Sequence, residues 1–149
     1  MEEDQDDLVV TSEAFQDGQV IPDKYGCKGD NVNPSLKIDD IPEKTASLVI
    51  IMDDPDAPVG TFTHWVVWNV EPKGFISENS SPGLEGTNDF NKKGYGGPCP
   101  PVGTHRYFFR IYALDRKLQI EEGAPRDLIE KRMQGCIIAQ GQLMGKYSR

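Results

Sequence analysis

Runs of apolar, β-branched and aromatic residues alternate along the chain with clusters of turn-forming residues, a pattern typical of a mainly β fold. Three runs predict the main strands, at residues 47–52, 64–70 and 106–114. The first two are almost continuously apolar, as expected of strands that are covered on both faces of a sheet. We therefore predict a β-sheet whose longest strands lie in the core.

One short helix is predicted between Pro125 and Gly135. Proline suits the first helical turn, Asp127 is favourable at the positive N-terminal end, and glycine is common just beyond the last turn. The apolar stripe that would face the core consists of Leu128, Ile129 and Met133. The following segment, 136–144, is predicted to be a strand, because its isoleucine pair favours strands and Gly141 would weaken a helix.

The domain organisation is predicted to be simple. With 149 residues, the chain has room for one domain, which we place at residues 8–149. Residues 1–7 are strongly acidic and are interpreted as a solvated lead-in, with an acidic interaction tail as the alternative. The segment 71–101 is predicted to be a long loop, because it is rich in glycine and proline and has no regular pattern.

Charge and composition exclude several classes of partner. The net charge of −8 disfavours nucleic-acid backbones and anionic membrane surfaces, although a local pocket could still hold a small phosphorylated ligand. No apolar run approaches the roughly 20 residues of a membrane-spanning helix. The chain begins with acidic residues rather than a basic and then apolar leader. We therefore expect a cytoplasmic protein without stable membrane insertion.

The three cysteines, Cys27, Cys99 and Cys136, are odd in number and lack CxxC spacing. This excludes a framework of several disulfides but leaves one internal disulfide open. We interpret the cysteines as three thiols, some of them buried, in a reducing compartment.

The first candidate for chemistry is the acidic segment that follows the first predicted strand. Asp53, Asp54 and Asp56 are interleaved with Pro55 and followed by Pro58, and prolines cannot continue a hydrogen-bonded ladder. We therefore predict a rigid turn at the end of the strand. Its aspartates either cap their own backbone, as in many polar loops, or hold a carboxylate in place to orient another group.

The two histidines of the sequence, His64 and His105, lie at the starts of the second and third predicted strands. A single histidine in such a place is most often structural. If the two strand starts are neighbours, both imidazoles reach one pocket, and imidazoles beside an aspartate suit an anion. The loop 94–101 adds glycines that allow the backbone to approach a ligand closely. It matches neither a P-loop nor a Rossmann motif.

Four motifs follow one another along the chain: DPDAP at 54–58, His-Trp at 64–65, GYGGPCPP at 94–101 and His-Arg-Tyr at 105–107. In their order they resemble the motifs of the phosphatidylethanolamine-binding protein family. The sequence resembles most closely the bacterial and archaeal branch of that family, often called Raf kinase inhibitor-like proteins. The resemblance spans roughly residues 8 to 147, and the order of the four motifs makes it specific.

The resemblance implies a large central β-sheet packed on a smaller one, one or two short helices, and a small cavity for phosphate-like anions. The ligand-binding residues that it implies are Asp54, His64, Pro100, Pro101, His105 and Tyr107, with Asp56, Gly96 and Gly97 in support. Two departures from eukaryotic members are expected. An aromatic side chain that they contribute between Pro58 and His64 has no clear counterpart, and the C-terminal helix that partly covers their site is missing, since the chain stops at Arg149.

These features favour a protein that binds a small anion, such as phosphate or a phosphoethanolamine-like phospholipid headgroup. The resemblance implies inhibition of a kinase or a serine protease as its role. We expect no cofactor, no metal and no enzymatic activity, because no nucleophile or GxSxG elbow accompanies the histidines. Two alternatives stay open: a hydrolytic or metal-dependent enzyme that uses His64 and His105, and a homodimeric scaffold whose pocket is idle.

Overall fold

Two β-sheets form most of the regular structure in the computed structural model, which describes residues 6–149. In chain order, the strands are β1 (Asp6–Asp7), β2 (Val9–Thr11), β3 (Leu36–Asp39), β4 (Ser47–Asp54), β5 (Phe62–Val70), β6 (Phe75–Ile76), β7 (Leu84–Glu85), β8 (Thr104–Leu114) and β9 (Ile137–Ser148). The α-helix α1 spans Arg126–Met133, and a turn of 3-10 helix spans Asp23–Tyr25.

The large sheet has the strand order β1-β9-β8-β4-β5-β7, and the small sheet has the order β2-β3-β6. Neighbouring strands are antiparallel, except that β1 runs parallel to β9. This architecture confirms the predicted mainly β fold with a large sheet and a smaller one.

Strand β4 lies in the middle of the large sheet, and all eight of its residues are buried, as its continuous apolar run predicted. Its side chains alternate between two faces. Leu48, Ile50 and Met52 pack in the core between the two sheets, whereas Val49 and Ile51 pack in a second core beneath α1. The large sheet therefore separates two apolar layers.

The end of β4 differs from the prediction. The strand continues through Asp53 and Asp54, so the expected turn begins only at Pro55. The buried Asp53 carboxylate is neutralised on the α1 side by Arg110 and Arg126, at 3.0 and 2.8 Å. The prediction that both aspartates belong to the turn was wrong, because distant arginines make a buried carboxylate compatible with the strand.

The other elements agree with the sequence in kind but not always in length. Helix α1 lies in the predicted interval and is followed by Gly135, which has a φ of +82°. No helix within residues 6–149 is long and apolar enough to cross a membrane. Strands β5 and β8 begin before the predicted starts, and β9 continues to Ser148. The predicted loop 71–101 contains β6 and β7, whose two residues each are too few for a recognisable pattern.

Two segments cover the outer edge of β9. Residues 6 and 7, the last of the predicted acidic lead-in, form β1 and pair with β9; the rest of the lead-in lies outside the described residues. Farther along, the backbone N–H groups of Gly18 and Ile21 donate to carbonyl oxygens of β9 at 2.7 and 2.8 Å. Most of this strand edge is therefore hydrogen-bonded within the chain.

Candidate functional site

The end of β4 and the starts of β5 and β8 enclose a cavity of about 240 Å³. Strands β5 and β8 flank β4 and run antiparallel to it, so their first residues lie beside its last ones. The starts of β5 and β8 thus lie close together, and this is the arrangement in which both histidines were predicted to reach one pocket. All six residues expected to bind a ligand line this cavity, namely Asp54, His64, Pro100, Pro101, His105 and Tyr107.

Asp54 and His105 form a buried pair in the cavity wall. His105 Nδ1 lies 2.6 Å from Asp54 Oδ2, and because an ionised carboxylate only accepts, Nδ1 carries the proton. The second carboxylate oxygen, Oδ1, accepts the backbone N–H of Asp56 at 2.8 Å. The pair fixes the orientation of the imidazole and leaves its Nε2 without a hydrogen-bond partner among the described residues.

Asp56 ties the turn after β4 to the first residues of β8. Its carboxylate accepts three hydrogen bonds from Arg106, at 3.0 Å from the backbone N, 2.9 Å from Nε and 2.8 Å from Nη2. The hydrogen bonds from the guanidinium, opposed in part by burial, lower the pKa of Asp56 to about 2. Asp56 therefore holds the turn against β8 at the position next to His105.

A β-bulge sets the direction of the His64 side chain. Met52 of β4 pairs with Trp65, and Asp53 pairs with Thr63, so His64 is the extra residue between the two pairs. The Thr63 side chain contacts the first arginine of α1, on the far side of the sheet. Regular alternation would put His64 on the face opposite Trp65, which packs with Met52 in the core between the sheets. The bulge thus lets His64 share that face and enter the cavity.

The His64 ring is buried, with an exposed fraction of 3%. Its Nδ1 lies 2.6 Å from the carbonyl oxygen of Gly96. A carbonyl can only accept, so Nδ1 carries the proton of the neutral ring. Burial lowers the pKa of His64, although the Gly96 carbonyl and the charge of Asp54 act in the opposite direction. At neutral pH the ring is therefore uncharged and its Nε2 is an acceptor.

The glycines of the loop 94–101 pack closely instead of presenting amides to the cavity. Gly96 N–H donates to His64 O at 3.0 Å, and Gly97 N–H donates to a side-chain amide oxygen at 2.8 Å. A Cβ at Gly96 would collide with the Phe90 ring, and one at Gly97 would collide with neighbouring backbone. The prediction that these amides approach a ligand was wrong, because their N–H groups donate hydrogen bonds within the protein.

Aromatic rings form much of the remaining wall, and two of them were not predicted. Phe62 lies 4.9 Å from His64 and 4.8 Å from Phe90, and Tyr107 lies 5.2 Å from His64, between ring centroids. Phe62 supplies an aromatic side chain between Pro58 and His64, where no clear counterpart was expected. The sequence contained evidence for Phe62, since it lies two residues before His64 and residues two apart in a strand share a face. Phe90 lies in a loop, where no such period applies.

Tyr107 brings a buried hydroxyl to the site that has no hydrogen-bond partner among the described residues. Burial raises the pKa of this phenol, and the negative charge of Asp54 adds to the rise. The hydroxyl therefore keeps its proton at neutral pH, and it is sealed from solvent behind the cavity wall.

A disulfide joins Cys27 to Cys99, which lines the cavity. Cys27 N–H also donates to Pro98 O at 3.0 Å, so the proline-rich rim is held to the segment around Cys27. Cys136 is buried and free. The interpretation of the cysteines as three thiols was wrong for two of them, because a pair separated by 72 residues leaves no local pattern.

The cavity offers hydrogen-bonding atoms rather than a set of metal ligands. Within residues 6–149, no three His, Cys, Asp or Glu side chains are grouped so as to hold a metal ion. The polar atoms that the cavity offers to a bound molecule include the Nε2 atoms of His64 and His105. Unlike the Tyr107 hydroxyl, neither Nε2 is sealed from solvent. A molecule in the cavity can therefore reach both imidazoles.

Known proteins resemble the chain over almost its whole length. Residues 11–148 match the family model described as phosphatidylethanolamine-binding protein. A UPF0098 protein of Pyrococcus abyssi is 46% identical in an alignment of 155 residues, and the alignment covers 97% of this chain and 87% of the relative. A UPF0098 protein of Aquifex aeolicus is 45% identical over 152 residues, which cover 95% of this chain and 89% of the relative.

Two solved structures share the fold. A phosphatidylethanolamine-binding protein homologue from Chlamydia trachomatis has a TM-score of 0.93 and 39% identity, and the match covers 97% of this chain and 99% of that one. YbcL of Escherichia coli, described as a member of the mammalian family, has a TM-score of 0.88 and 27% identity, over 96% and 99% of the two chains. The chain therefore belongs to the phosphatidylethanolamine-binding protein family.

Proposed function

We propose that the protein binds a small phosphate-like anion in the cavity between His64 and His105. The observation that carries the proposal is that the rings of His64 and His105 line one cavity, with each Nδ1 used within the protein and each Nε2 without a partner among the described residues. Membership of the family supports a ligand-binding protein of this type.

The Asp54 carboxylate supports an anion instead of opposing it. Its two oxygens already accept hydrogen bonds from His105 Nδ1 and from the Asp56 N–H. When the His105 ring is charged, this carboxylate balances the charge, and Nε2 donates a charge-assisted hydrogen bond, which is stronger than a neutral one. Aromatic rings and prolines line the cavity, and the low local dielectric of such a wall strengthens polar contacts inside it.

We extend the proposal to a protein partner, a kinase or a serine protease, that meets the rim of the cavity. Val59 lines the cavity and is 96% exposed, and Val102, next to Pro101, is 70% exposed. Apolar side chains in such positions favour a contact surface around the anion site. Inhibition assays with and without saturating phosphate test whether partner and anion share the site.

The Asp54–His105 pair also makes an enzyme the second candidate. A carboxylate that orients a histidine through Nδ1 and leaves Nε2 free is the arrangement of many general bases. The cavity wall, however, contains no serine, threonine or free thiol among the described residues, since Cys99 is bonded to Cys27. We therefore propose binding without catalysis. Turnover of phosphate or acyl esters that is lost in His105→Ala would overturn this choice.

NMR titration of the histidine rings with inorganic phosphate tests the proposed function. The chain has two histidines, so His64→Ala and His105→Ala each assign the ring signal that remains. We expect saturable shifts at both rings in the wild type and much weaker binding in each variant. Tyr112→Phe is the control, because Tyr112 lies on β8 but packs in the core beneath α1. A folded wild type without shifts at either ring would contradict the proposal.

A further inference from the structure

The His64 ring presents an acceptor to the cavity. Nδ1 donates to the Gly96 carbonyl at 2.6 Å, so the proton of the neutral ring is fixed on that side. Burial disfavours a second proton, in line with the lowered pKa of this ring. Nε2 therefore carries a lone pair, and no described residue donates a hydrogen bond to it.

The groups that pack around His64 do not reverse this assignment. Asp54 from β4 and Asp89 from the loop after β7 are the acidic groups that act on its charge. Asp54 is hydrogen-bonded to His105 of β8, and Asp89 Oδ2 accepts the Thr63 N–H at 2.7 Å. Tyr107 of β8 stands against the ring with a neutral phenol. Burial exceeds the attraction of the two carboxylates, so the ring stays neutral.

The second imidazole of the cavity does not remove this requirement. His105 also holds its Nδ1 proton within the protein, on Asp54, so its Nε2 donates only when the ring is charged. In either state of His105, a fully deprotonated anion places an oxygen lone pair against the lone pair of His64 Nε2. An anion that keeps one O–H donates that proton to His64 Nε2 and still offers oxygen lone pairs to the rest of the cavity.

We infer that the cavity selects anions that carry an acidic hydroxyl, namely inorganic phosphate and the monoanion of a phosphomonoester, over sulfate and phosphodiesters. This inference rests on the proposed function and narrows its ligand class. A phospholipid headgroup is a phosphodiester and has no such hydroxyl, whereas a free phosphate or a terminal phosphomonoester has one. The acceptor at His64 therefore distinguishes a phospholipid headgroup from a free phosphate or a terminal phosphomonoester.

Binding of four soluble probes to the full chain tests the inference by calorimetry at pH 7 and fixed ionic strength. The probes are inorganic phosphate, sulfate, phosphoethanolamine and glycerophosphoethanolamine. We expect phosphate to bind at least about tenfold more tightly than sulfate, because an unmade hydrogen bond in a buried site costs about that factor. We expect the diester glycerophosphoethanolamine to bind as weakly as sulfate.

The pH dependence of the phosphomonoester gives a second readout. The second pKa of a phosphomonoester is about 6, so its monoanion is the main form below that pH and declines above it. The affinity for phosphoethanolamine should fall by up to about tenfold per pH unit between about pH 6.5 and 8. Inorganic phosphate keeps an O–H throughout this range, so the ratio of the two affinities corrects for titration of the protein.

Each outcome is decisive. Equal affinities for phosphate and sulfate in the wild type overturn the inference and leave the proposed function intact, whereas no binding of any probe contradicts the proposed function itself. His64→Gln supplies the matched variant, because its amide can turn either a donor or an acceptor toward the ligand. The ratio of the affinities of this variant for phosphate and for sulfate should approach one. The wild-type comparison decides the question even if this variant fails to fold.

Discussion

At the scale of single residues, the site is defined by atoms that the protein leaves without partners. Tyr107 and Thr45 carry the buried side-chain oxygens that have no hydrogen bond among the described residues. A buried group of this kind lowers the free energy of unfolding, because its hydrogen bond to water is lost and not replaced. At Tyr107 the hydroxyl is sealed behind the cavity wall, so the protein bears this cost without gaining a contact to a ligand in the cavity.

Tyr107→Phe should therefore separate stability from binding. We expect the free energy of unfolding of the ligand-free protein to stay equal or to rise by about 1 kcal/mol, since the unpartnered hydroxyl is removed and the ring is kept. Phosphate affinity should stay unchanged, because the sealed hydroxyl does not contact a molecule in the cavity. Urea denaturation and calorimetry measure the two quantities. Tyr112→Phe is the control for removal of a hydroxyl elsewhere on β8, and a Tyr107→Phe protein that loses stability or binds phosphate much more weakly would refute this account.

At the scale of elements, the site depends on how the end of β4 is fixed. Asp53 and Asp54 are successive residues of one strand, so their side chains point to opposite faces. Asp53 joins the sheet to α1 through Arg126, and Asp54 joins it to His105 in the cavity. Asp56 holds the turn that follows β4 against the start of β8. Three carboxylates thus connect the end of β4 to α1, to His105 and to Arg106.

The contribution of Asp56 should depend on pH in a defined direction. Its pKa is about 2 in the folded protein, below the ordinary 3.8. A lowered pKa gives stability that is complete above the unfolded value and is lost as the pH falls toward the folded value. We expect the wild type to be more stable than Asp56→Asn at pH 7, and the difference in urea midpoints to vanish between about pH 4 and 2.

Arg106→Gln is the companion variant for this measurement. It removes the guanidinium that lowers the pKa of Asp56, so the same pH-dependent difference should disappear. A gap between wild type and Asp56→Asn that stays constant from pH 7 to about 2 would contradict the assigned ion pair.

At the scale of the whole molecule, the Cys27–Cys99 bond closes a loop with a sequence separation of 72 residues. This loop includes strands β3 and β6 of the small sheet and strands β4, β5 and β7 of the large sheet. Closing so long a loop restricts the unfolded chain. The cytoplasmic location expected from the sequence stays a prediction, since disulfides are usual in oxidising compartments and also occur in intracellular proteins of hyperthermophiles.

Removal of this bond should destabilise the fold strongly. For a loop of this length, Cys27→Ser combined with Cys99→Ser should lower the free energy of unfolding by about 4 kcal/mol. Cys136→Ala keeps the disulfide and is the control. Thiol titration of the denatured, unreduced wild type should count a single reactive cysteine. Three reactive thiols under the same conditions would contradict the bond.

The sequence predicts the centres of the elements better than their ends. The apolar runs at 47–52 and 64–70 locate two strands of the large sheet, because burial on both faces imposes continuous hydrophobicity. The run at 106–114 locates a third, β8, in which buried residues alternate with less buried ones over most of its length. The end of β4 was missed because the charge of Asp53 is compensated by Arg126, 73 positions later. Ion pairs across such distances leave no periodic signal.

The candidate site was also predictable in part. The motifs indicated Asp54, His64 and His105, and the antiparallel order of β5, β4 and β8 brings them together. The bulge at His64 could not be read from the sequence, because one extra residue in a strand pairing depends on the partner strand. Phe90 was missed for a similar reason, since its contacts come from a loop that packs against the site.

The covered edge of β9 has a consequence for self-association. Open strand edges are templates on which sheets of different molecules join and aggregate. Here β1 and the backbone around Gly18 and Ile21 occupy that edge, and the opposite edge of the large sheet is β7, a strand of two residues. Growth of the large sheet by strand addition is therefore blocked on one side and poorly templated on the other. A homodimer of this chain is therefore not expected to form by joining two large sheets edge to edge.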